Sequence, residues 1–183
     1  GNPAAVVTPP ADPQALTDLH KQHMDQQMSL WQSVLTRQQG GEETFKAPAD
    51  PGDRRFAAPE WRASPIYDYL HQAYLLNTRF VRDLVELIPA ADDKARNRMR
   101  FLARQISDAM APSNYAATNP EFIKLAIHTR GQSITDGINN LLADFEKGRI
   151  SMTDESVFEV GKNIATTEGA VVFENELMQL IQY

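Results

Sequence analysis

Few side chains in this sequence combine the type and the spacing that catalysis or metal binding requires. His20 and His23 stand three residues apart with Asp25 close by, so on a helix they could supply metal ligands. Because a metal site needs three or four converging ligands, this short pattern is weak, and we predict no metal site. Ser113 and Ser133 belong to no nucleophile motif, and the sequence contains no cysteine. We therefore expect no catalytic, cofactor-binding or metal-binding residue in this chain.

Charge and hydropathy exclude further classes of function. The 183 residues carry a formal net charge of −6, which argues against general attraction to nucleic acid. Five cations stand close together at Lys94, Arg96, Arg98, Arg100 and Arg104. They could bind a polyanion, but they lie on two flanks of a predicted helix, which favours a solvated face. No run of 18 apolar residues and no signal-peptide pattern occurs, so we expect a cytoplasmic protein without a transmembrane segment.

The longest amphipathic pattern runs from Ser64 to Ile88 and predicts the central helix of the fold. Ser64 suits the N-cap position, and Pro65 suits the first helical position. At about 100° per residue, the apolar side chains cover half of the helix, so two neighbouring helices should pack on it. The predicted arc holds Ile66, Tyr67, Tyr69, Leu70, Ala73, Tyr74, Leu76, Phe80, Val81, Leu84, Val85, Leu87 and Ile88, and polar residues such as Asp68, His71, Gln72 and Glu86 take the other half. Asn77 lies within the arc and should be a buried structural residue.

A second amphipathic helix is predicted at residues 13–38, and polar side chains share its apolar face. Its candidate interaction face consists of Leu16, Leu19, Met24, Met28, Trp31 and Leu35. The proline-rich residues 1–12 should form a flexible tail, and the Gly- and Pro-containing residues 39–63 a linker and extended segment. Two interpretations stay open: the helix is tethered and binds a partner or an apolar surface, or it folds back onto the core.

Further helices complete a predicted helical core at residues 64–149. The helix after the central one, from Asp92 or Asp93 to about Met110, has an apolar stripe of Ala95, Met99, Leu102, Ala103, Ile106, Ala109 and Met110. Residues 150–183 contain short apolar runs that predict up to three strands, although residues 175–182 could instead form a short helix. Two or three strands do not form a stable sheet alone. We therefore expect a second domain to begin here. The predicted fold class is mainly α, a multi-helix domain followed by a short β or irregular segment.

Several blocks of sequence, in order, closely resemble the N-terminal part of class I polyhydroxyalkanoate synthases. These blocks are Asp53-Arg54-Arg55-Phe56 with Trp61, Tyr74-Leu75-Leu76, Arg100-Phe101, Asp108-Ala109-Met110-Ala111-Pro112-Ser113-Asn114, Ala117-Thr118-Asn119-Pro120-Glu121, Thr153-Asp154-Glu155-Ser156, Glu168-Gly169-Ala170-Val171-Val172-Phe173-Glu174-Asn175-Glu176 and Gln179-Leu180-Ile181-Gln182-Tyr183. The resemblance covers about residues 53–183. Residues before it match nothing in the family, which fits a variable leader.

The resemblance implies an enzyme family that polymerises hydroxyacyl groups from coenzyme A thioesters into polyester granules. Its members place a cysteine nucleophile in a Gly-x-Cys-x-Gly elbow of an α/β-hydrolase domain, and this chain contains neither the elbow nor a cysteine. Residues 150–183 resemble the first strands of that catalytic domain. The roles implied for this chain are therefore non-catalytic: dimerisation, granule attachment, contact with phasin-type granule proteins, and support of the catalytic domain of the same enzyme. A second possibility is that the chain shapes the substrate or product channel directly.

Overall fold

The computed structural model describes residues 12–49 and 51–183, and these are mainly α-helical, which confirms the predicted fold class. The helices are α1 (Pro13–Gln38), α2 (Glu60–Ala63), α3 (Pro65–Leu87), α4 (Asp93–Ala109), α5 (Pro120–His128) and α6 (Gln132–Lys147), and the strands are β1 (Ala170–Glu174) and β2 (Gln179–Gln182). Short 3-10 turns lie at Arg54–Phe56, Pro112–Asn114 and Glu155–Val157. The chain divides into two compact units, which meet in sequence between His128 and Thr129. The predicted tail at residues 1–12 falls, apart from its last residue, outside the described residues.

Local capping signals set the ends of the long helices. The carboxylate of Asp12 accepts a hydrogen bond from the backbone N–H of Gln14 at 2.9 Å, and Asp92 accepts one from the N–H of Ala95 at 2.7 Å. Ser64 occupies the N-cap position of α3, but its side chain makes no capping bond. The bounds of α1, α3 and α4 agree with the predicted helices to within about one residue.

Helix α3 is the centre of the first unit, because both clusters of buried side chains contain its residues. One cluster consists of Leu30, Val34, Ala47 and Leu76, and the other of Phe56, Trp61, Tyr74 and Ala111. The first cluster joins α1 to α3, so α1 folds back onto the core. This is the second of the two interpretations that the sequence left open for this helix. The assignment of residues 39–63 as a linker, and the other predicted domain boundaries, stay predictions.

The predicted division of α3 into an apolar and a polar half is wrong at several positions. Asp68 and Gln72 were assigned to the polar half, yet both are buried, whereas Ile66 is 69% exposed. Burial of the two polar side chains is possible because each has a partner: Arg37 donates to Asp68, and the backbone N–H of Ala47 donates to Gln72. Periodicity alone therefore misplaced the buried face, since it cannot show where such partners lie.

Helix α4 also presents a different face from the one its apolar stripe predicts. Leu102, Ile106 and Met110 are each more than half exposed. The residues that are shielded on this helix include the small Ala103 and Ser107. The predicted apolar stripe is therefore wrong at Leu102, Ile106 and Met110, because periodicity of apolar side chains does not show which face meets a neighbouring helix.

The second unit contains α6 and an antiparallel hairpin. Strands β1 and β2 pair with Ala170 opposite Gln182 and Glu174 opposite Gln179. The turn between them is closed by Asn175, whose side-chain oxygen accepts hydrogen bonds from two backbone N–H groups. The alternative of a short helix at residues 175–182 is therefore wrong. Within the described residues after 150, the only other β pairing is an isolated bridge between Val160 and Ile164, so the possible third strand does not form.

Candidate functional site

Helix α1 has one buried face and one exposed apolar stripe. Leu30 and Val34 are buried against the core, whereas four members of the candidate interaction face lie between 38% and 57% exposed. These four residues, which we call the α1 stripe, are Met24, Met28, Trp31 and Leu35. Their spacing of four, three and four residues places them along one side of the helix. The other two members of the candidate face, Leu16 and Leu19, are half-buried.

The α1 stripe is suited to contact with an irregular apolar surface. Methionine side chains are unbranched and flexible, so Met24 and Met28 can adapt to such a surface. Trp31 is held at one side by Tyr69 of α3, with ring centroids 5.7 Å apart in an edge-on arrangement. The stripe therefore combines adaptable side chains with one oriented aromatic ring. It has no group that could perform covalent chemistry.

The histidines of α1 contribute to helix packing. His23 stacks on Phe80 of α3 with ring centroids 4.5 Å apart, and His20 meets the same ring edge-on at 6.3 Å. Burial lowers the pKa of His23, the charge of His20 lowers it further, and a hydrogen bond with Asn77 partly opposes both effects. Asn77 also accepts a hydrogen bond from Gln27 at 3.1 Å and is exposed, so its assignment as a buried residue is wrong. No group of three metal-ligating side chains occurs within residues 12–49 and 51–183.

The segment after α1 is held against the core by polar contacts. The hydroxyl oxygen of Ser33 accepts hydrogen bonds from the backbone N–H groups of Thr44 and Phe45, at 3.0 and 3.1 Å. Two residues after Phe45, the N–H of Ala47 donates to Gln72 of α3 at 2.9 Å. Ser33 was not singled out from the sequence, and Gln72 was assigned to the polar half of the helix. Their partners come from the backbone of a distant segment, which leaves no periodic signal.

Residues from several blocks of the family resemblance come together around Arg55. Its guanidinium donates to Asp53 at 2.8 and 2.9 Å and to Asp108 of α4 at 3.0 Å. It also lies 5.6 Å from the ring centroids of Phe56 and Tyr74. The hydrogen bond from Arg55 holds the pKa of the Asp53 carboxyl below its usual range. This cluster, which we call the Arg55 cluster, connects the segment before α2 to α3 and α4.

His71 of α3 borders the Arg55 cluster. Its ring stacks on Phe56 with centroids 4.1 Å apart, and it meets Trp61 edge-on at 6.2 Å. Burial lowers the pKa of His71, although the carboxylates of Asp68 and Asp53 oppose that shift. The ring contacts of His71 are thus with aromatic side chains of the segment before α3.

The five cations around α4 divide into two groups in the structure. Arg96 donates to the backbone carbonyl of Val85, and Arg100 donates two hydrogen bonds to Glu86, each of 2.7 Å. These two arginines join α4 to α3. Lys94, Arg98 and Arg104 are exposed and have no acidic partner among the described residues. In the described part of the chain, every helix is too short or too polar to span a bilayer.

Comparison with known proteins identifies the family to which this chain is similar. The model of the family described as the N-terminus of poly-beta-hydroxybutyrate polymerase (PhaC) matches residues 52–183. The chain is 44% identical over 171 residues to the poly(3-hydroxyalkanoate) polymerase subunit PhaC of Cupriavidus necator, covering 93% of this chain and 28% of that protein. It is 39% identical over 159 residues to the poly(3-hydroxyalkanoate) polymerase of Methylorubrum extorquens, covering 85% and 26% respectively.

A more distant relative spans nearly the whole chain. The poly(3-hydroxyalkanoate) polymerase subunit PhaC of Rhizobium etli is 31% identical over 182 residues, which covers 94% of this chain and 29% of that protein. The chain thus spans less than a third of the length of these curated relatives. No solved structure matches the chain.

Proposed function

The chain belongs to the family of poly-beta-hydroxybutyrate polymerase N-termini, and we propose that it acts as a non-catalytic part of a polyhydroxyalkanoate polymerase. In this proposal the parent enzyme polymerises hydroxyacyl groups from coenzyme A thioesters. The chain supports the catalytic domain of that enzyme, attaches it to the polyester granule in the cytoplasm, and takes part in dimerisation and in contacts with phasin-type granule proteins. The absence of cysteine from the sequence supports the non-catalytic role.

The observation that carries granule attachment is the α1 stripe. Its four apolar side chains lie in a row on the surface, while the opposite face of the same helix is buried against α3. A fixed helix that exposes a row of methionine and tryptophan side chains can lie on an apolar polymer surface without unfolding. Removing apolar area from water favours such contact by about 25 cal/mol per Å².

Co-sedimentation with polyester granules tests this proposal. The combined substitution Met24→Gln, Met28→Gln and Leu35→Gln should reduce the bound fraction several-fold and leave the melting temperature nearly unchanged, because these side chains are exposed. A matched control replaces three apolar side chains that are 51–63% exposed, two in α4 and one at its C-cap: Leu102→Gln, Ile106→Gln and Met110→Gln. If granule binding survived the α1 changes but not the α4 changes, the assignment of granule attachment to α1 would be wrong.

A second candidate function is favoured by the exposed apolar hairpin of the second unit. Val171, Phe173, Leu180 and Ile181 are each close to half exposed, and both outer strand edges have unpaired backbone groups. Such a hairpin could pair with strands of the catalytic domain and shape its substrate or product channel. Mixing the chain with the separately expressed catalytic half discriminates the two roles. Restored turnover in solution, without any granule surface, supports the channel role, whereas restoration only on granules supports attachment.

A further inference from the structure

A groove between α3 and α4 is lined by both apolar and cationic side chains. The groove has a volume of about 680 Å³ and is lined from α3 by Thr78, Arg82, Val85 and Glu86 and from α4 by Asn97, Arg100, Phe101, Ala103, Arg104 and Ser107. We propose that this groove binds an acidic amphipathic helix of a partner protein. The groove shares no residue with the α1 stripe, so granule attachment and this binding can be tested separately.

Part of the groove lining is small, shielded from solvent and largely apolar. Val85 and Ser107 are buried and Ala103 is half-buried, and we call these three lining residues the floor of the groove. Phe101 also lines the groove and is 53% exposed, so its ring is available to a ligand. An apolar side chain inserted here would be removed from water on several sides. This feature favours a ligand that carries a row of apolar groups.

Three arginines and one carboxylate, Glu86, line the groove, so its lining carries an excess of positive charge. Arg100 pairs with Glu86, and we call the other two arginines, Arg82 and Arg104, the rim of the groove. Among the described residues Arg104 has no acidic partner, and Arg82 has only its neighbour Asp83, at 3.5 Å. Helix α4 carries five cationic side chains and two carboxylates, in a chain whose formal net charge is −6. The excess of positive charge is therefore local to this helix. Charges placed around an apolar floor select partners of opposite sign and accelerate association.

Two contacts fix the width of the groove before any partner binds. Arg100 donates two hydrogen bonds of 2.7 Å to Glu86, and Arg96 donates to the carbonyl oxygen of Val85. Both contacts run from α4 to α3, so they join the two helices that line the groove. Binding to a preformed groove costs less free energy, because fewer of its side chains lose conformational freedom.

The dimensions of the groove match a short helix. Its lining residues extend from Thr78 to Glu86 along α3 and from Asn97 to Ser107 along α4, which corresponds to about 12–15 Å at a rise of about 1.5 Å per residue. A helix of about three turns has that length and can insert side chains at i, i+4 and i+7. With glutamate or aspartate on both flanks of its apolar stripe, the same helix would face Arg82 and Arg104. Nucleic acid offers no apolar row for the floor, and a bare polymer surface offers no charge for the rim.

Fluorescence anisotropy with a designed peptide tests the proposal. The probe is a labelled peptide of about 18 residues with leucines at helical spacing and glutamates on both flanks. Two control peptides replace all glutamates by lysine or all leucines by glutamine. We expect measurable binding of the first peptide alone, weakened by salt because exposed charges are screened.

The matched pair of variants is Arg104→Glu and Arg98→Glu, which make the same charge change on the same helix. Both side chains are exposed, but only Arg104 lines the groove. Arg104→Glu should weaken peptide binding about tenfold, and Phe101→Ala should weaken it by a similar factor, whereas Arg98→Glu should change it less than about twofold. Circular dichroism of each variant checks that the helices are intact.

Three outcomes would overturn the proposal. Equal loss in the two arginine variants would show that the whole basic helix, and not the groove, attracts the peptide. Equal binding of the glutamine peptide would show that the apolar floor contributes nothing. Tighter binding of a DNA duplex of similar length, weakened by both arginine variants, would identify a polyanion as the occupant.

Discussion

The packing of α1 on α3 can be tested with one pair of substitutions on the same helix. Leu30→Ala removes a side chain that is 0% exposed, and Leu35→Ala removes an identical one that is 38% exposed. Leu30 packs in the cluster formed with Val34, Ala47 and Leu76, so its removal leaves a cavity between α1 and α3. Leucine-to-alanine changes at fully buried sites cost about 2–5 kcal/mol. We expect a loss of about 3 kcal/mol for Leu30→Ala and less than about 1 kcal/mol for Leu35→Ala.

Urea unfolding followed by circular dichroism measures both free energies. For a domain of this size, a loss of about 3 kcal/mol corresponds to a decrease of roughly 6–12 °C in melting temperature. Because both changes replace leucine by alanine within α1, their effects on intrinsic helix propensity largely cancel in the comparison. Equal unfolding midpoints for the two variants would refute the packing argument, since they would mean that Leu30 is no more buried in solution than Leu35.

Three further predictions concern the Arg55 cluster, its histidine and catalysis. Arg55→Lys keeps the charge but loses the planar contacts with Asp53 and Asp108, so it should lower the free energy of unfolding in urea by about 1–3 kcal/mol. Arg54→Lys, at the exposed neighbouring residue, should leave that free energy almost unchanged. Because burial lowers the pKa of His71 from 6.5, the unfolded chain binds the proton more readily, and stability should fall as the pH decreases below about 6.5. His71→Phe should reduce that slope, and an unchanged slope in this variant would contradict the assignment. The isolated chain should release no coenzyme A from 3-hydroxybutyryl-CoA, and release above that of a denatured control would disprove its non-catalytic role.

Local sequence signals were sufficient to locate α1, α3 and α4, whereas α2 lies in a segment that was predicted to be a linker. Aspartate at residue 92 and proline at residues 13 and 65 mark helix starts through interactions within a few residues, and the structure places the helices there. The blocks of sequence also identified the family, which the comparisons confirm. The six-residue candidate interaction face was found from helical periodicity, and four of its members are exposed in the structure. Its role in binding stays a prediction.

Only the tertiary structure decided which side of each helix is buried. Asp68 and Gln72 are buried because Arg37 and the backbone of Ala47, far away in sequence, supply their hydrogen bonds. A periodic pattern counts apolar side chains but cannot locate such partners, so it assigned both residues to solvent. The same pattern assigned Leu102 and Ile106 to the buried face of α4, although both are more than half exposed.

The Arg55 cluster shows the same limit at a longer range. Asp53 and Asp108 are separated by more than fifty positions, yet both accept hydrogen bonds from one guanidinium. The sequence contains these residues as separate blocks, with nothing in their spacing to indicate contact. Folding brings the blocks together because the segment before α2 and the end of α4 both pack against α3, and that packing depends on the shapes of all three surfaces at once.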